Sequence, residues 1–297
     1  IYKRPLTVRH IRAKRKNPGL GHQHLAAVEA LTQISTAEVD GAAVGSETLR
    51  FIPGDIRPGD YKFQIGTAGS VALLLQALLP PLCLSQKDSR LTLVGGTHVP
   101  WSPPFHYLSE VLFPILGLMG ISVRGRIDQW GWYPKGGGIL EVEIKPSPCL
   151  RPISFLDRGS IKRIRGISSI SNLPKHVAER QRDEALKRIE KELKMDAEIT
   201  LLYDAPSIGQ GSFLFLVAES DRTIAGFSSL GKKGKPAEKV AEEAVNSLKD
   251  YLESDGYVDP HLADQLIPFL VLAKGCSSFT TSRITEHLLT NLWVCLL

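Results

Sequence analysis

The chain has 297 residues, of which 43% are hydrophobic and 23% are charged, and this composition excludes a mainly disordered or collagen-like polypeptide. Its length allows one large domain or two moderate ones, and its longest apolar run, at residues 71–84, is too short and too interrupted to span a bilayer. The net charge is +5, but residues 1–28 contain seven Lys and Arg residues and no acidic residue, so the basic character is local and suits either a phosphate-binding segment or a solvated tail.

The first half of the chain alternates strands with helices. Hydrophobic periodicity predicts strands at residues 6–11, 46–52, 61–65, 91–94 and 139–144, and helices at 23–34, from 71 to Pro80, and at 105–119. The Gly/Thr/Ser turn at residues 66–70 opens a buried helix, and we expect its backbone amides to be free to face an anion. This alternation predicts an α/β or α+β fold built from a repeated supersecondary unit.

The pattern changes near residue 160. Strands are predicted at residues 161–168, 199–203, 212–219 and 222–227, and charged amphipathic helices at 176–194 and 236–252. Because this block has its own strands and helices, we predict a small inserted domain at 160–254 between two parts of a large domain, 1–159 and 255–297. The last part is predicted to contain an apolar helix at 262–273 and a final helix around His287.

The cysteines give a prediction about location. Cys83, Cys149, Cys276 and Cys295 lie far apart and lack the spacing of a zinc site. We interpret them as reduced core thiols of a cytoplasmic protein. The first residues contain no apolar stretch of the kind found in secretory signals, so no leader is expected.

Six short motifs follow one another along the chain. They are IRAKRKNPGL with QHL within residues 11–25, GTAGS at 66–70, GGT at 95–97, YPKGGG at 133–138, LADQL at 262–266 and SRITEHLLTN at 282–291. Each motif alone is weak, but their order and spacing over nearly the whole chain resemble the RNA 3'-terminal phosphate cyclase family. The resemblance implies a large domain of repeated βαβαββ-like units with a smaller thioredoxin-like α/β insert.

The resemblance also implies a reaction, the ATP-dependent conversion of an RNA 3'-terminal phosphate to a 2',3'-cyclic phosphate. His287 would attack the α-phosphate of ATP and carry the AMP, which then passes to the RNA end as an RNA-adenylate; a neutral imidazole is suited to that attack. A histidine followed by two leucines on a helix is, by itself, more often structural. The catalytic assignment therefore depends on the resemblance.

The other candidate residues are expected to bind the two substrates. Phosphoryl transfer needs cations aimed at the phosphates, and the guanidinium groups of Arg12 and Arg15, which match family arginines, suit bidentate phosphate contacts. Gln23 and His24 match a Gln-His pair that either contacts RNA phosphate or caps the helix that follows. The candidates for ATP binding are Pro104, Tyr133, Pro134, His261, Asp264 and Gln265.

Asp264 has a second predicted role, either orienting His287 or binding a Mg or Mn ion. His261 stands where the family commonly has an aromatic residue that stacks on the adenine. Family members begin with a short strand and a Gly-Glu-Gly-Gly-Gln-like loop, whose glutamate is implicated in metal binding, and these 297 residues start after the helix that follows it. The resemblance thus implies a metal site that is incomplete within this sequence.

Two other classes of function compete with this interpretation. A noncatalytic cyclase-like protein that binds RNA in ribosome assembly would have the same fold, but such relatives lack the catalytic histidine that His287 matches. An enolpyruvyl-transferase-like enzyme also has a repeated architecture and anionic substrates, but that class leaves SRITEHLLTN unexplained. The expected partners are RNA with a 3'-phosphate end and ATP, with no membrane, and a homodimer is left open.

Overall fold

The N-terminal part of the chain contains a small antiparallel sheet and a helix that comes between the first and second strands in the sequence. The computed structural model describes residues 1–296. This part contains β1 (Leu6–Arg9), α1 (His22–Ser35), β2 (Glu38–Asp40) and β3 (Thr48–Ile52), with the strands in the order β1-β3-β2. Helix α1 ends at Thr36, whose backbone is left-handed. The basic run predicted to bind phosphate therefore joins β1 to the start of α1.

Residues 60–145 form one complete βαβαββ unit. Its elements are β4 (Asp60–Gln64), α2 (Val71–Cys83), β5 (Ser89–Gly95), α3 (Phe105–Tyr107), a π-helical turn (Leu108–Leu112), α4 (Phe113–Leu118), β6 (Ser122–Gln129) and β7 (Gly138–Lys145). The sheet order is β4-β5-β7-β6, with β4 and β5 parallel and the other pairs antiparallel. Gly95 at the end of β5 is paired with Gly138 at the start of β7. The loops that follow β4 and β5 and the loop that precedes β7 consequently meet at one edge of the sheet.

Helix α2 continues past the point at which the sequence predicted its end. We expected it to stop at Pro80, because a proline removes a helical hydrogen bond and clashes with the preceding turn. The helix instead runs through Pro80 and Pro81 to Cys83. Both prolines are buried with the leucines around them, and this apolar packing offsets the lost hydrogen bonds.

The helix predicted at residues 105–119 is helical but not uniformly α-helical. Pro114 lies at the start of α4, directly after the π-helical turn. Since Pro114 cannot donate to the carbonyl four residues before it, a widened turn at this point removes the clash that a regular α-helix would have. Four strands were not predicted. They are β2, β6 and two short strands described below.

The insert region has its own four-stranded sheet. The short strand β8 (Ser154–Phe155) comes before this region. The insert region contains β9 (Ile161–Ser171), α5 (His176–Arg188), a π-helical turn (Ile189–Leu193), β10 (Ala197–Leu202), β11 (Gly211–Ser220), β12 (Ile224–Leu230) and α6 (Ala237–Leu252). The strand order is β10-β9-β11-β12. The predicted domain boundaries and the thioredoxin-like comparison stay predictions.

Strand β11 is buried on both faces. Phe213 and Phe215 belong to the core that includes the βαβαββ unit, whereas Leu214 and Leu216 pack with α5 and α6 in a second core. The insert sheet is thus the middle layer between the large part of the molecule and its own two helices.

The chain then returns to the large part. Helix α7 (Pro260–Leu272), β13 (Ser278–Phe279) and α8 (Glu286–Leu296) follow the insert, and β13 pairs in parallel with β8 from before it. The mixed α/β class predicted from the sequence is confirmed by these sheets and helices.

The interpretation of the cysteines as core thiols is wrong for three of the four. Only Cys83 is buried, and burial raises its pKa to about 12. Cys149, Cys276 and Cys295 are exposed, because they lie in a loop, after α7 and on the outer side of α8 rather than inside a core. None of the helices within residues 1–296 is both long and apolar enough to cross a membrane.

Candidate active site

The basic segment, residues 12–24, folds into a turn that leads into α1. Arg12 has a left-handed backbone, and its Nη1 donates to the carbonyl oxygen of Gly19 at 2.9 Å. The Gly21 N–H donates to His24 Nδ1 at 3.1 Å, so His24 caps the helix, one of the two roles predicted for it. Burial, with a smaller contribution from the charge of Arg12, lowers the pKa of His24 and favours the neutral ring that this bond needs. Arg15 is exposed, and Arg12 is half-buried.

Gln23 reaches away from its own helix to the turn that opens α2. Its Oε1 accepts a hydrogen bond from the Ser70 N–H at 2.9 Å, and the Ser70 hydroxyl contacts the Ser102 hydroxyl. Gly69 lies so close to Gln23 that a Cβ there would be 3.2 Å from the Gln23 Cβ. The basic segment and the α2 turn therefore form a continuous surface with the loop that contains Ser102.

Two of the five amides in the turn at residues 66–70 are already bonded, so the expectation that they face an anion is wrong for Gly69 and Ser70 and stays a prediction for residues 66–68. Gly69 N–H donates to Thr67 Oγ1 at 3.2 Å, and Ser70 N–H donates to Gln23. The Ser70 hydroxyl accepts from the Leu73 N–H at 3.2 Å, and the Val71 N–H donates to the Gly96 carbonyl at 2.9 Å. The last two residues of the turn thus contact Gln23 and Ser102.

Helix α7 is fixed at its start by a buried carboxylate. Asp259 Oδ1 accepts from the N–H groups of His261 (2.9 Å) and Leu262 (3.0 Å), and the Tyr107 hydroxyl donates to both carboxylate oxygens at 2.7 and 2.9 Å. Burial and the neighbouring carboxylate raise the pKa of Tyr107 well above its ordinary value, so this hydroxyl keeps its proton. Sequence reasoning missed both residues, although Asp259-Pro260 is a typical helix start.

Asp264 and His287 lie on the two helices that pack together after the insert. Burial raises the pKa of Asp264, whereas the charges that His287 and His261 can carry lower it. The Asn291 side-chain amide donates to the backbone oxygen of Asp264 at 3.1 Å and ties α8 to α7. His287 itself is exposed in the first turn of α8, and an imidazole that attacks a substrate must be exposed in this way.

The remaining candidates for ATP binding differ in exposure. Gln265 is half-buried, and its Oε1 is itself buried without a hydrogen-bond partner among the described residues. Tyr133 and Pro134 are exposed and joined by a cis peptide bond. Pro104 is buried at the start of α3, and its neighbour Pro103 is more accessible. His261 is exposed, with its ring edge-on to Tyr107 at 6.4 Å between centroids.

One loop connects the two groups of candidates. This bridging loop, residues 97–107, contacts Ser70 through Ser102 at one end and Asp259 through Tyr107 at the other. Gln23, predicted to bind RNA, accepts a hydrogen bond from the Ser70 N–H. His261, predicted to bind ATP, donates its N–H to Asp259. The bridging loop thus ties the segments that carry both sets of residues.

The described residues do not form a metal cage. Within residues 1–296, no three His, Cys, Asp or Glu side chains converge as metal ligands. Mg²⁺ is often held by one or two carboxylates together with substrate phosphates, an arrangement for which Asp264 supplies a single half-buried carboxylate. The fit to a metal is therefore limited to that one ligand.

Two histidines anchor the bridging loop in the interior. The Gly131 N–H donates to Thr97 Oγ1 at 2.8 Å, and the same hydroxyl is hydrogen-bonded to His98 Nδ1 at 2.9 Å. His98 Nε2 and His106 Nδ1 share a hydrogen bond of 3.0 Å. The His98 ring stacks on Trp130 with 4.1 Å between centroids. A hydrogen bond between two ring nitrogens requires that the accepting imidazole be neutral.

We expect the protein to lose stability as the pH falls from 6.5 towards 5. Burial lowers the pKa of His106 to about 4 and that of His98 well below its ordinary value. The unfolded chain takes up these protons near pH 6.5 and the folded chain does not, so the stabilisation is complete above pH 6.5 and declines below it, by about 2 kcal/mol at pH 5 for His106 alone.

Denaturant titrations at pH 7.5, 6.5 and 5 measure this loss. The decline should be smaller in His106→Asn, which keeps a polar partner for His98 but cannot titrate, and unchanged in His176→Asn, where an exposed histidine is replaced. If the free energy of unfolding fell equally in the wild type and in His106→Asn, His106 would not be the group that causes the loss of stability at low pH.

Comparisons with known proteins agree with the resemblance drawn from the motifs. The sequence profile described as RNA 3'-terminal phosphate cyclase matches residues 1–296. Proteins named RNA 3'-terminal phosphate cyclase are similar to this chain: one from Desulfurococcus amylolyticus is 45% identical and one from Caldivirga maquilingensis is 44% identical. A third, from Thermococcus kodakarensis, is 43% identical. The alignments cover 97–98% of this chain and 83% of each relative.

Proposed function

Because the chain belongs to the RNA 3'-terminal phosphate cyclase family, we propose that it uses ATP to convert an RNA 3'-phosphate into a 2',3'-cyclic phosphate through a histidine-AMP intermediate. The observation that supports the mechanism best is that an exposed His287 on α8 and a half-buried Asp264 on α7 lie on two helices that pack together and are tied by the Asn291 side chain. A nucleophile that can be reached, next to an acid that can orient it, is the minimum that such a reaction requires.

The proposed reaction has three steps. An imidazole nitrogen of His287 bonds to the α-phosphorus of ATP, the bond from that phosphorus to the bridging oxygen breaks, and pyrophosphate leaves. An oxygen of the RNA 3'-phosphate then attacks the same phosphorus, and the bond to His287 breaks. Finally the 2'-hydroxyl, losing its proton, attacks the 3'-phosphorus and expels AMP, so that one ATP closes one ring and yields AMP and pyrophosphate.

Asp264 has a proposed positioning role in the first step. Burial disfavours its charged form and raises its pKa, and the positive charges that His287 and His261 can carry oppose this only in part. We infer that the carboxylate holds the imidazole of His287 in its attacking orientation and stabilises the charge that the ring gains. A Mg or Mn ion would neutralise phosphate charge when bound, with Asp264 as its protein ligand among the described residues.

The adenine is proposed to bind between α7 and the neighbouring loops. The Oε1 of Gln265 is buried without a partner among the described residues, and it would accept a hydrogen bond from the adenine amino group once the side chain turns towards the ligand. His261, exposed at the start of α7, offers a ring face, and Tyr133 and Pro134 offer an exposed apolar surface from the loop before β7. Pro104 is buried, so its proposed role is to maintain the shape of the bridging loop and not to contact the adenine directly.

The RNA end is proposed to bind at the basic segment. Arg12 uses one guanidinium nitrogen on Gly19, which fixes the direction of the group and leaves other N–H donors for phosphate. Arg15 adds an exposed charge. Gln23 and His24 hold the surrounding backbone through Ser70 and Gly21, and we propose that they shape the phosphate site.

A noncatalytic RNA-binding role is the second candidate. It shares the basic segment but does not require an exposed histidine next to a buried carboxylate. The cytoplasm is the proposed location, because ATP and RNA meet there and three exposed cysteines are free thiols. A homodimer stays a prediction, which sedimentation of the full-length protein would test.

The product decides between the two candidates. Full-length protein should convert an oligoribonucleotide with a 3'-phosphate into a species lighter by one water molecule, and only when ATP and Mg²⁺ or Mn²⁺ are present; mass spectrometry detects the change. The same oligonucleotide with a 3'-hydroxyl is the matched control and should not react. RNA binding without any cyclised product would support the noncatalytic candidate.

A further inference from the structure

Trp101 is an exposed indole in the bridging loop that the proposed mechanism does not use. Its side chain is 98% exposed, more than any other large apolar side chain described. Its backbone is left-handed, with φ of 64°, a conformation that costs energy for a side chain of this size. An indole that is held away from every core, on a backbone under strain, is a candidate contact for a ligand.

The base of the bridging loop is fixed, so the indole is presented by a rigid support. The N–H groups of Thr97 and His98 donate to the Gly131 carbonyl at 3.0 and 3.1 Å, and the Phe105 N–H donates to the Thr97 carbonyl at 3.2 Å. His98 is buried against Trp130. Immobilising such a side chain on binding then costs less entropy than it would at a flexible loop tip.

The surroundings of Trp101 favour RNA as its ligand. The next residue, Ser102, contacts Ser70, whose N–H donates to Gln23 in the basic segment. Residues 1–28 contain seven basic residues and no acidic residue, and the bridging loop contains no Asp, Glu, Lys or Arg. An exposed aromatic ring on a loop that is linked to a positively charged segment is a combination typical of proteins that bind single-stranded nucleic acid, through stacked bases and a neutralised backbone.

We propose that the indole of Trp101 is the platform on which a nucleobase at the 3'-phosphate end of the RNA stacks. This rests on the proposed function, and it extends that function by giving the RNA end a contact to a base as well as contacts to phosphate. Because every base has a π face, the platform should accept all four terminal bases with similar affinity.

Kinetics of the full-length protein test the platform. Trp101→Ala should raise KM for the 3'-phosphorylated oligonucleotide about 5- to 100-fold, the range measured for loss of one stacked base elsewhere. Trp101→Phe should recover most of that loss, and formation of the protein-AMP adduct from ATP alone should not change. Leu118→Ala, which removes an apolar side chain that is 51% exposed at the end of α4, is the control and should leave KM unchanged.

Tryptophan fluorescence provides a readout that does not depend on catalysis. Trp130 and Trp132 are buried, so an oligonucleotide should quench Trp101 with a signal that Trp101→Phe loses and that Trp293→Phe keeps. If cyclisation fails altogether, the proposed function is wrong, and this quenching still decides the platform.

Three results would overturn the platform. One is an unchanged KM for RNA in Trp101→Ala when the wild type cyclises its substrate. Another is quenching by ATP alone with an increased KM for ATP, which would assign the indole to adenine. The third is oligonucleotide quenching that persists in Trp101→Phe.

Discussion

Replacing His287 with alanine should abolish transfer of AMP to the protein and, with it, cyclisation of RNA. If the imidazole forms the bond to phosphorus, no neighbouring group can substitute for it, and loss of a nucleophile typically lowers kcat by about 10⁴-fold or more. The expected adduct, measured with α-labelled ATP, is labile in acid and stable in alkali, as a phosphoramidate on histidine is.

His176→Ala is the matched control for this experiment. That histidine is also exposed, but it lies at the start of α5 in the insert region. The control should form the adduct as the wild type does. An adduct of normal yield in His287→Ala, or one with the acid stability of a phosphoester, would exclude a histidine-AMP intermediate at this position.

Replacing Arg12 with alanine should weaken use of RNA without affecting the reaction with ATP alone. A charged hydrogen bond contributes about 1.5–3 kcal/mol, so kcat/KM for the 3'-phosphorylated oligonucleotide should fall about 10- to 100-fold. The dependence of binding on salt should also become shallower, by about 0.7 in the slope of the logarithmic plot, because one fewer phosphate is neutralised. Arg12→Lys should be intermediate, because it restores the charge but not the planar fork.

Arg124→Ala separates this local effect from the loss of one positive charge. Arg124 is exposed on β6, in a different part of the molecule from the basic segment, and its loss changes the net charge equally. A fall in kcat/KM of the same size for Arg124→Ala would mean that Arg12 acts only through overall charge. Adduct formation from ATP shows whether each variant is still folded.

The helices and strands that the sequence predicted best are those with a strong apolar pattern. Helix α6 has one apolar face, strand β11 is apolar on both faces, and both form at nearly the expected residues. Strand β6 was missed because it is an edge strand whose exposed residues are charged and whose middle is Gly125. The end of α2 was wrong because proline's local effect was outweighed by packing that a local pattern does not contain.

The residues of the candidate site also differ in whether a local sequence pattern indicates them. Arg12, Gln23 and His287 could be predicted as candidates because they stand in motifs, where residue type and spacing carry the information. The bond between Tyr107 and Asp259 could not be found like this, because 152 residues separate the partners and only the packing of α7 on the bridging loop brings them together. Asp259-Pro260 is a typical helix start, but no local pattern identifies Tyr107 as the residue that bonds to Asp259.

Because β11 is buried on both faces, the insert region of this protein cannot be exchanged freely with that of a relative. Grafting an insert from another family member would replace Phe213 and Phe215, which cover the aromatic cluster around His98. A chimera would keep a sealed cluster only if it brought matching rings, so the insert and the core beneath it are expected to have changed together during evolution.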